Sequence, residues 1–204
     1  MSNLNERDAK IVQYLNEAHG KERELESSLQ SHIEMTDKMS YKKRLRQHLT
    51  ETRHHAKEIE KRLRQLGAGN SILAEGAQVV QDAVGVGKAI AKAPVEVLRG
   101  GSDQETMLTN ARNEFMKENE EIAMYRSLEA FAEKAGDAET AKLARSIVRD
   151  EERMAKFLER EVQTLAKAVA TEQVPADQRR RAGTRARSRG ATNGRSRRTA
   201  AAAR

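Results

Sequence analysis

The sequence predicts an all-α protein, a four-helix bundle followed by a disordered basic tail. Three observations lead there. Four long segments carry apolar residues at spacings of three, four and seven, the period of one helix face. Aromatic residues make up only 3% of the 204, prolines number two, and charged residues reach 34% beside a hydrophobic share of 37%. Sheet folds want more aromatic and β-branched residues and more frequent turn signals; long solvated helices around a thin aliphatic core suit this composition. Charge, finally, is divided: Pro175 to Arg204 holds ten Arg and one Asp, or +9, so within a net charge of +7 the first 174 residues carry −2.

The first predicted helix has Ile11, Leu15, Ala18, Leu25, Leu29 and Ile33 on one face, with Asn3 and Glu6 placed as a capping box. The second carries Tyr41, Leu45, Leu49, Ala56, Ile59, Leu63 and Leu66, with Ser40 to cap it and Gly67 to end it. A third begins at Ser102, with Glu105 three residues on, and runs through Leu108, Ala111, Phe115, Ile122, Tyr125, Leu128 and Phe131 to Gly136. The fourth starts near Asp137 and continues through Leu143, Ile147, Met154, Leu158 and Leu165 towards Val169. At 1.5 Å per residue each is roughly 40 Å long.

Short turns near Asp37–Ser40 and at Gly136-Asp137 make two antiparallel hairpins. Between them residues 68–101 are long enough to cross the whole bundle, so a ferritin-like topology fits better than up-and-down. The apolar residues Val79, Val80, Val84 and Ile90 in this crossover suggest a loose helix lying on the bundle. The expected domains are thus 1–171, the bundle, and 172–204, the tail.

Several chemistries drop out. The chain lacks cysteine, which removes disulfides, thiolate zinc sites and cysteine nucleophiles. There is no phosphate loop, nucleophile elbow or dinucleotide fingerprint; Gly85-Val86-Gly87-Lys88 lacks the spacing and the following Ser or Thr. The start, MSNLNERDAK, has no apolar signal core, and no uncharged run approaches the ~18 residues that span a bilayer. A cytoplasmic protein without a transmembrane segment is expected.

Polar interruptions of the apolar stripes carry the functional signal. Glu22 sits between Ala18 and Leu25, and Glu151 between Ile147 and Met154, at spacings of four and three where an apolar residue belongs. Glu51 and His54 flank the second stripe, and Glu121 abuts the third, among Glu114, Glu118 and Glu120. A core carboxylate costs several kcal/mol unless it is paired or binds metal. Di-iron and di-manganese bundles draw a Glu from each of two helices and a Glu-x-x-His pair from each of the others. Glu51-Thr52-Arg53-His54 is such a pair, though with 24 Glu and five His one match carries little weight. The near-equal intervals Glu22–Glu51 and Glu121–Glu151 look like a pseudo-repeat and weigh more. From spacing alone, metal binding and a bundle with partly exposed flank glutamates stay balanced.

The stretches LNEAHGKERELESSLQSHIEM (Leu15 to Met35), HLTETRHHAKEIEKRLRQLG (His48 to Gly67), EEIAMYRSLEAFAEKAGD (Glu120 to Asp137) and RDEERMAKFLER (Arg149 to Arg160) resemble the ferritin-like family that includes the bacterial stress protein YciF. The resemblance covers roughly residues 10–165. It implies a ferritin-like bundle with a dinuclear metal site, Fe or Mn, and a stress-response setting. Carried over by position, the implied ligands are Glu22, Glu51, His54, Glu121 and Glu151. In one place the chain departs: the second Glu-x-x-His pair reads Glu151-Glu152-Arg153-Met154, and a thioether is a poor ligand for hard ions. The second metal then has an all-oxygen shell, only one metal binds well, or the site is degenerate. His19, one turn from Glu22, reads as a surface or supporting histidine, and His55 as a partner for a glutamate. His32 and His48 show no clear partner.

The leading expectation is a metal-binding stress protein, a ferroxidase-like oxidoreductase using oxygen or peroxide on Fe(II). Glu22 and Glu121 would be terminal ligands, Glu51 and Glu151 bridges, and His54 a nitrogen ligand. The rival is a non-catalytic nucleic-acid-associated or interaction protein with a degenerate site. A homo-oligomer, a dimer, is the expected assembly. In the tail, Arg179, Arg180, Arg181, Arg185, Arg187, Arg189, Arg195, Arg197 and Arg198 could neutralise DNA or RNA phosphates without reading sequence; with nothing to bury, the tail should be disordered alone.

Overall fold

The structure, a computed structural model, describes residues 4–68 and 102–179. These form four helices: α1 (Glu6–Glu34), α2 (Met39–Gln65), α3 (Asp103–Ala135) and α4 (Ala138–Gln173). Backbone contacts divide the chain into Met1–Val169 and Ala170–Arg204; the whole bundle core belongs to the first. No helix among the described residues is long and apolar enough to cross a membrane.

The helix ends follow local chemistry. Asn5, not Asn3, caps α1, its side chain accepting from the Asp8 N–H at 2.9 Å. Likewise α2 begins one residue before Ser40, with Lys38 at the cap position and no side-chain cap bond. Ser102 caps α3 as its sequence suggests, accepting from the Glu105 N–H. The α3–α4 turn is the tightest: Gly136 takes φ +76°, a left-handed conformation costly for other residues, and lets Asp137 N–H reach Ala132 O at 2.8 Å. Asp137 then caps α4 by accepting from Thr140 N–H, while Arg62 of α2 clamps its carboxylate at 2.7 and 2.8 Å.

Contacts between neighbours place the helices around a ring in the order α1, α2, α4, α3. His19 meets Glu60 across α1–α2, Tyr41 meets Phe157 across α2–α4, Arg145 meets Glu129 across α3–α4, and Tyr14 meets Phe131 edge-on across α1–α3. Two apolar clusters close the bundle. One gathers Ile11, Leu15, Ile59, Leu63, Leu128 and Ile147; the other Leu29, Leu45, Met107, Ala111, Met154 and Leu158. The end of α2 and the start of α3 fall in opposite clusters, so these helices run parallel and residues 69–101 connect opposite ends. The internal structure expected for that crossover, including Val79, Val80, Val84 and Ile90, lies outside the described residues.

Between the clusters the buried side chains turn polar on every helix. α1 offers Glu22, α2 His48, Thr52 and His55, α3 Glu114, Glu118 and Glu121, and α4 Glu151. On α3 the buried face runs Met107, Ala111, Glu114, Glu118, Glu121, Tyr125, Leu128, while Phe115, Ile122 and Phe131, expected on the stripe, are half-buried. Ala111, Glu118 and Tyr125, seven residues apart, lie along one line of the helix. Glu114 and Glu121 flank it as closely on one side as Phe115 and Ile122 do on the other, so it is packing that turns the glutamate side inward.

Candidate metal centre

Glu22, Glu118 and Glu151 are fully buried, Glu121 is 3% exposed, and His48 and His55 are 0% and 2% exposed. Two groups of ligand atoms converge there: Glu22, His55 and Glu151 form one, His48, Glu118 and Glu151 the other, each with its atoms within 4.8 Å of one another. Glu151 belongs to both. His55 Nδ1 stands 3.0 Å from Glu151 and 3.5 Å from Glu22. His48 Nε2 stands 3.0 Å from Glu118 and 3.6 Å from Glu151.

Several of these atoms are close without being aimed at each other. His55 Nδ1, both oxygens of Glu121 and of Glu151, and one oxygen each of Glu22 and Glu118 lack a hydrogen-bond partner among the described residues. So many orphaned buried acceptors would be costly for a purely structural layer. Carboxylate oxygens with imidazole nitrogens are also a donor set suited to Fe or Mn, so the residues present fit the implied metal.

The outer nitrogen of each histidine is held from near the surface. His55 Nε2 meets Asp150 at 3.2 Å, and His48 Nδ1 meets Glu51 at 3.3 Å. Arg44 and Gln47 in turn donate to Glu51 at 2.9 and 3.0 Å. A carboxylate behind each imidazole fixes the ring and strengthens the nitrogen facing the interior. From α3 the Tyr125 O–H, fully buried, donates to Glu22 at 2.5 Å.

Electrostatics complete the picture of the metal-free state. Burial alone would discharge both histidines, but Glu118 and its neighbours hold His48 well above the ordinary imidazole value, and Glu151 with Glu22 raises His55 to about 10. Burial, reinforced by the charges of Glu22 and Glu151, pushes Glu121 far above the carboxylate range. It also raises Glu22, and carries Glu118 to about 8 against the pull of His48. For Glu151 the two histidines outweigh burial and the carboxyl is lowered. Hydrogen bonds from His48 and Arg44 likewise overcome partial burial at Glu51 and bring it to about 2. Protons thus offset the crowding of charge.

The structure brings Glu22, Glu121 and Glu151 together, and leaves two expected ligands aside. His54 is exposed, and Glu51 is half-buried behind His48. The reason is helix phase: Leu45, His48, Thr52, His55, Ile59 and Leu63 follow one buried face of α2, which Glu51 and His54 miss. That series, broken by three consecutive polar members, was the available signal for His48 and His55. Met154 is fully buried in the apolar cluster, and the second histidine that it lacked comes from α2 instead. His19, half-buried, pairs with Glu60 at 3.0 Å, outside the Glu/His cluster. His32 pairs with the buried Glu114. Of the tail arginines only Arg179 is described, and it is exposed; Arg180 onward lie outside the described residues.

A helical bundle with a buried Glu/His cluster able to hold metal defines the class of protein. A family model described as Domain of unknown function (DUF892) matches residues 8–171, and the chain belongs to that family. A protein from Xanthomonas campestris pv. campestris shares the fold with a TM-score of 0.63 at 21% identity, over 82% of this chain and 98% of its own. A protein named YcfI from Rhodopseudomonas palustris does so with a TM-score of 0.57 at 16% identity, over 78% and 96%. No curated protein matches the chain.

Proposed function

We propose that the bundle is a dinuclear Fe or Mn carboxylate protein with ferroxidase-like activity. The observation that carries this reading is the sharing of Glu151 between two three-residue groups, since one carboxylate common to two ligand sets is what a bridged pair of ions requires. Glu22 and His55 would serve one ion, His48 and Glu118 the other, with Glu151 between them and Glu121 supplying further oxygens. Four carboxylates balance two divalent ions with both imidazoles neutral. Bound redox-active ions supply Lewis acidity and electrons for reducing oxygen or peroxide. The chain's part is to hold the imidazoles through Asp150 and Glu51, to steady Glu22 through Tyr125, and to keep water out with the apolar clusters. The resemblance to YciF-type proteins supports a stress-response setting in the cytoplasm. Metal analysis of protein purified without added metal tests the centre: about two Fe or Mn per chain is expected, and metal-free protein that neither ion stabilises thermally would refute it.

The ten arginines beyond Pro175 favour a second role, retention of DNA or RNA. Without aromatic residues to stack on bases, binding should be electrostatic. If about six arginines meet duplex phosphates, the log–log salt slope is roughly −5. A chain ending at Thr171 should keep metal and lose this binding; equal retention at low salt would exclude the tail as its source.

A further inference from the structure

An ion bound in this layer needs a way in. The apolar clusters close both ends of the layer, so a hydrated cation cannot arrive along the bundle axis. The α1–α3 seam offers a side route. There a groove of about 10 Å³, room for about one water-sized occupant, is lined by Lys21, Glu24, Leu25, Lys117, Glu120 and Glu121. Glu121 is the buried carboxylate of the lining, and both of its oxygens lack hydrogen-bond partners among the described residues. Over the groove Lys21 Nζ lies 2.9 Å from Glu120 and 3.6 Å from Glu24, and Lys117 Nζ lies 3.9 Å from Glu24.

We propose that this groove is the entry site for divalent cations, with Glu24 and Glu120 as its outer carboxylates, Glu121 as the inner one, and Lys21 and Lys117 as a latch. The proposal rests on the metal-centre reading above. Ion pairs as exposed as these contribute only ~0–1 kcal/mol, so the lysines swing aside at little cost. An arriving dication replaces them at Glu24 and Glu120, and Glu121 then offers oxygens in place of the water that the narrow groove strips away. The lysines oppose entry by charge and the outer glutamates favour it, so substitutions of the two kinds change the loading rate in opposite directions.

The test mixes metal-free full-length protein with Co(II) in a stopped-flow instrument and follows the ion's visible absorption. Glu24→Ala with Glu120→Ala is expected to slow loading about tenfold, and Lys21→Ala with Lys117→Ala to accelerate it. Final stoichiometry and Kd should stay at parent values, because a gate alters entry and exit alike. Glu152→Ala, on the α3–α4 seam, should load at the parent rate. Parent-like loading in both double variants overturns the gate and leaves the centre intact. A fall in stoichiometry in the glutamate variant also overturns it, by making those residues ligands of the centre. Parent protein that binds no Co(II) removes the metal reading and the gate together.

Discussion

The first hairpin, α1–α2, and the second, α3–α4, bring unlike chemistry to the same layer. Glu22, His48 and His55 come from the first; Glu118, Glu121 and Glu151 come from the second, with no histidine. Equal glutamate intervals in the sequence suggest two copies of one motif, yet the imidazoles of one hairpin face the carboxylates of the other. Neither half alone would keep its charge: burial would discharge the imidazoles of the first and protonate the carboxyls of the second. Contact between them is what holds His48, His55 and Glu151 ionised. Complementary charge across the two hairpins is therefore part of what makes them pack as a unit, and the site forms only when they do.

The largest expected effect comes from separating two carboxylates of the second hairpin. Glu151 stands against both histidines, whereas burial already holds Glu121 protonated. Glu151→Gln should cost the metal-free protein about 3–5 kcal/mol in denaturant unfolding, because two buried imidazoliums lose their counter-charge. Glu121→Gln, which replaces a protonated acid by an amide of the same shape, should change stability by less than about 1 kcal/mol while weakening metal binding. Equal losses in the two variants would show that the hairpins do not divide charge in this way.

pH sharpens the same comparison. His55 is raised to about 10 from an ordinary 6.5, so its stabilising contribution is complete below pH 6.5 and is lost as pH rises through 10. Glu118, raised to about 8 from 4.5, makes its own contribution in full below pH 4.5 and loses it as pH rises through 8. The metal-free protein should become easier to unfold between pH 6.5 and 10, and calorimetric titration at pH 7 should find about four protons released per pair of divalent ions bound. Flat alkaline stability, or binding without proton release, would contradict the charge assignment.

Smaller effects are expected at the carboxylates behind the histidines. Glu51→Gln and Asp150→Asn should each weaken metal binding about 10–100-fold by loosening an imidazole. His54→Ala, on the exposed face, should leave affinity unchanged. A titration in which His54→Ala matches the loss in His55→Ala would place the nitrogen ligand back where the Glu-x-x-His spacing suggests.

Much of the architecture was legible in the chain. Apolar periodicity marked four helices, and Gly67 and Gly136 marked the ends of α2 and α3 because each needs a positive φ that other residues resist. Glu22 and Glu151 were legible because each stands at a three-and-four spacing inside an apolar stripe, where its burial follows from the neighbours. Glu121 was harder, being one of several adjacent glutamates, and only packing decided that Glu114 and Glu118 are buried with it while Glu120 is exposed. The choice between His54 and His55 also belonged to tertiary structure. Adjacent positions differ by about 100° around a helix, and Leu49 and Ala56 flank the buried line closely enough to leave its phase open. Once α4 packs beside α2, Glu151 and Asp150 hold His55 between them, and that cross-helix contact settles a rotation that helical periodicity alone leaves undetermined.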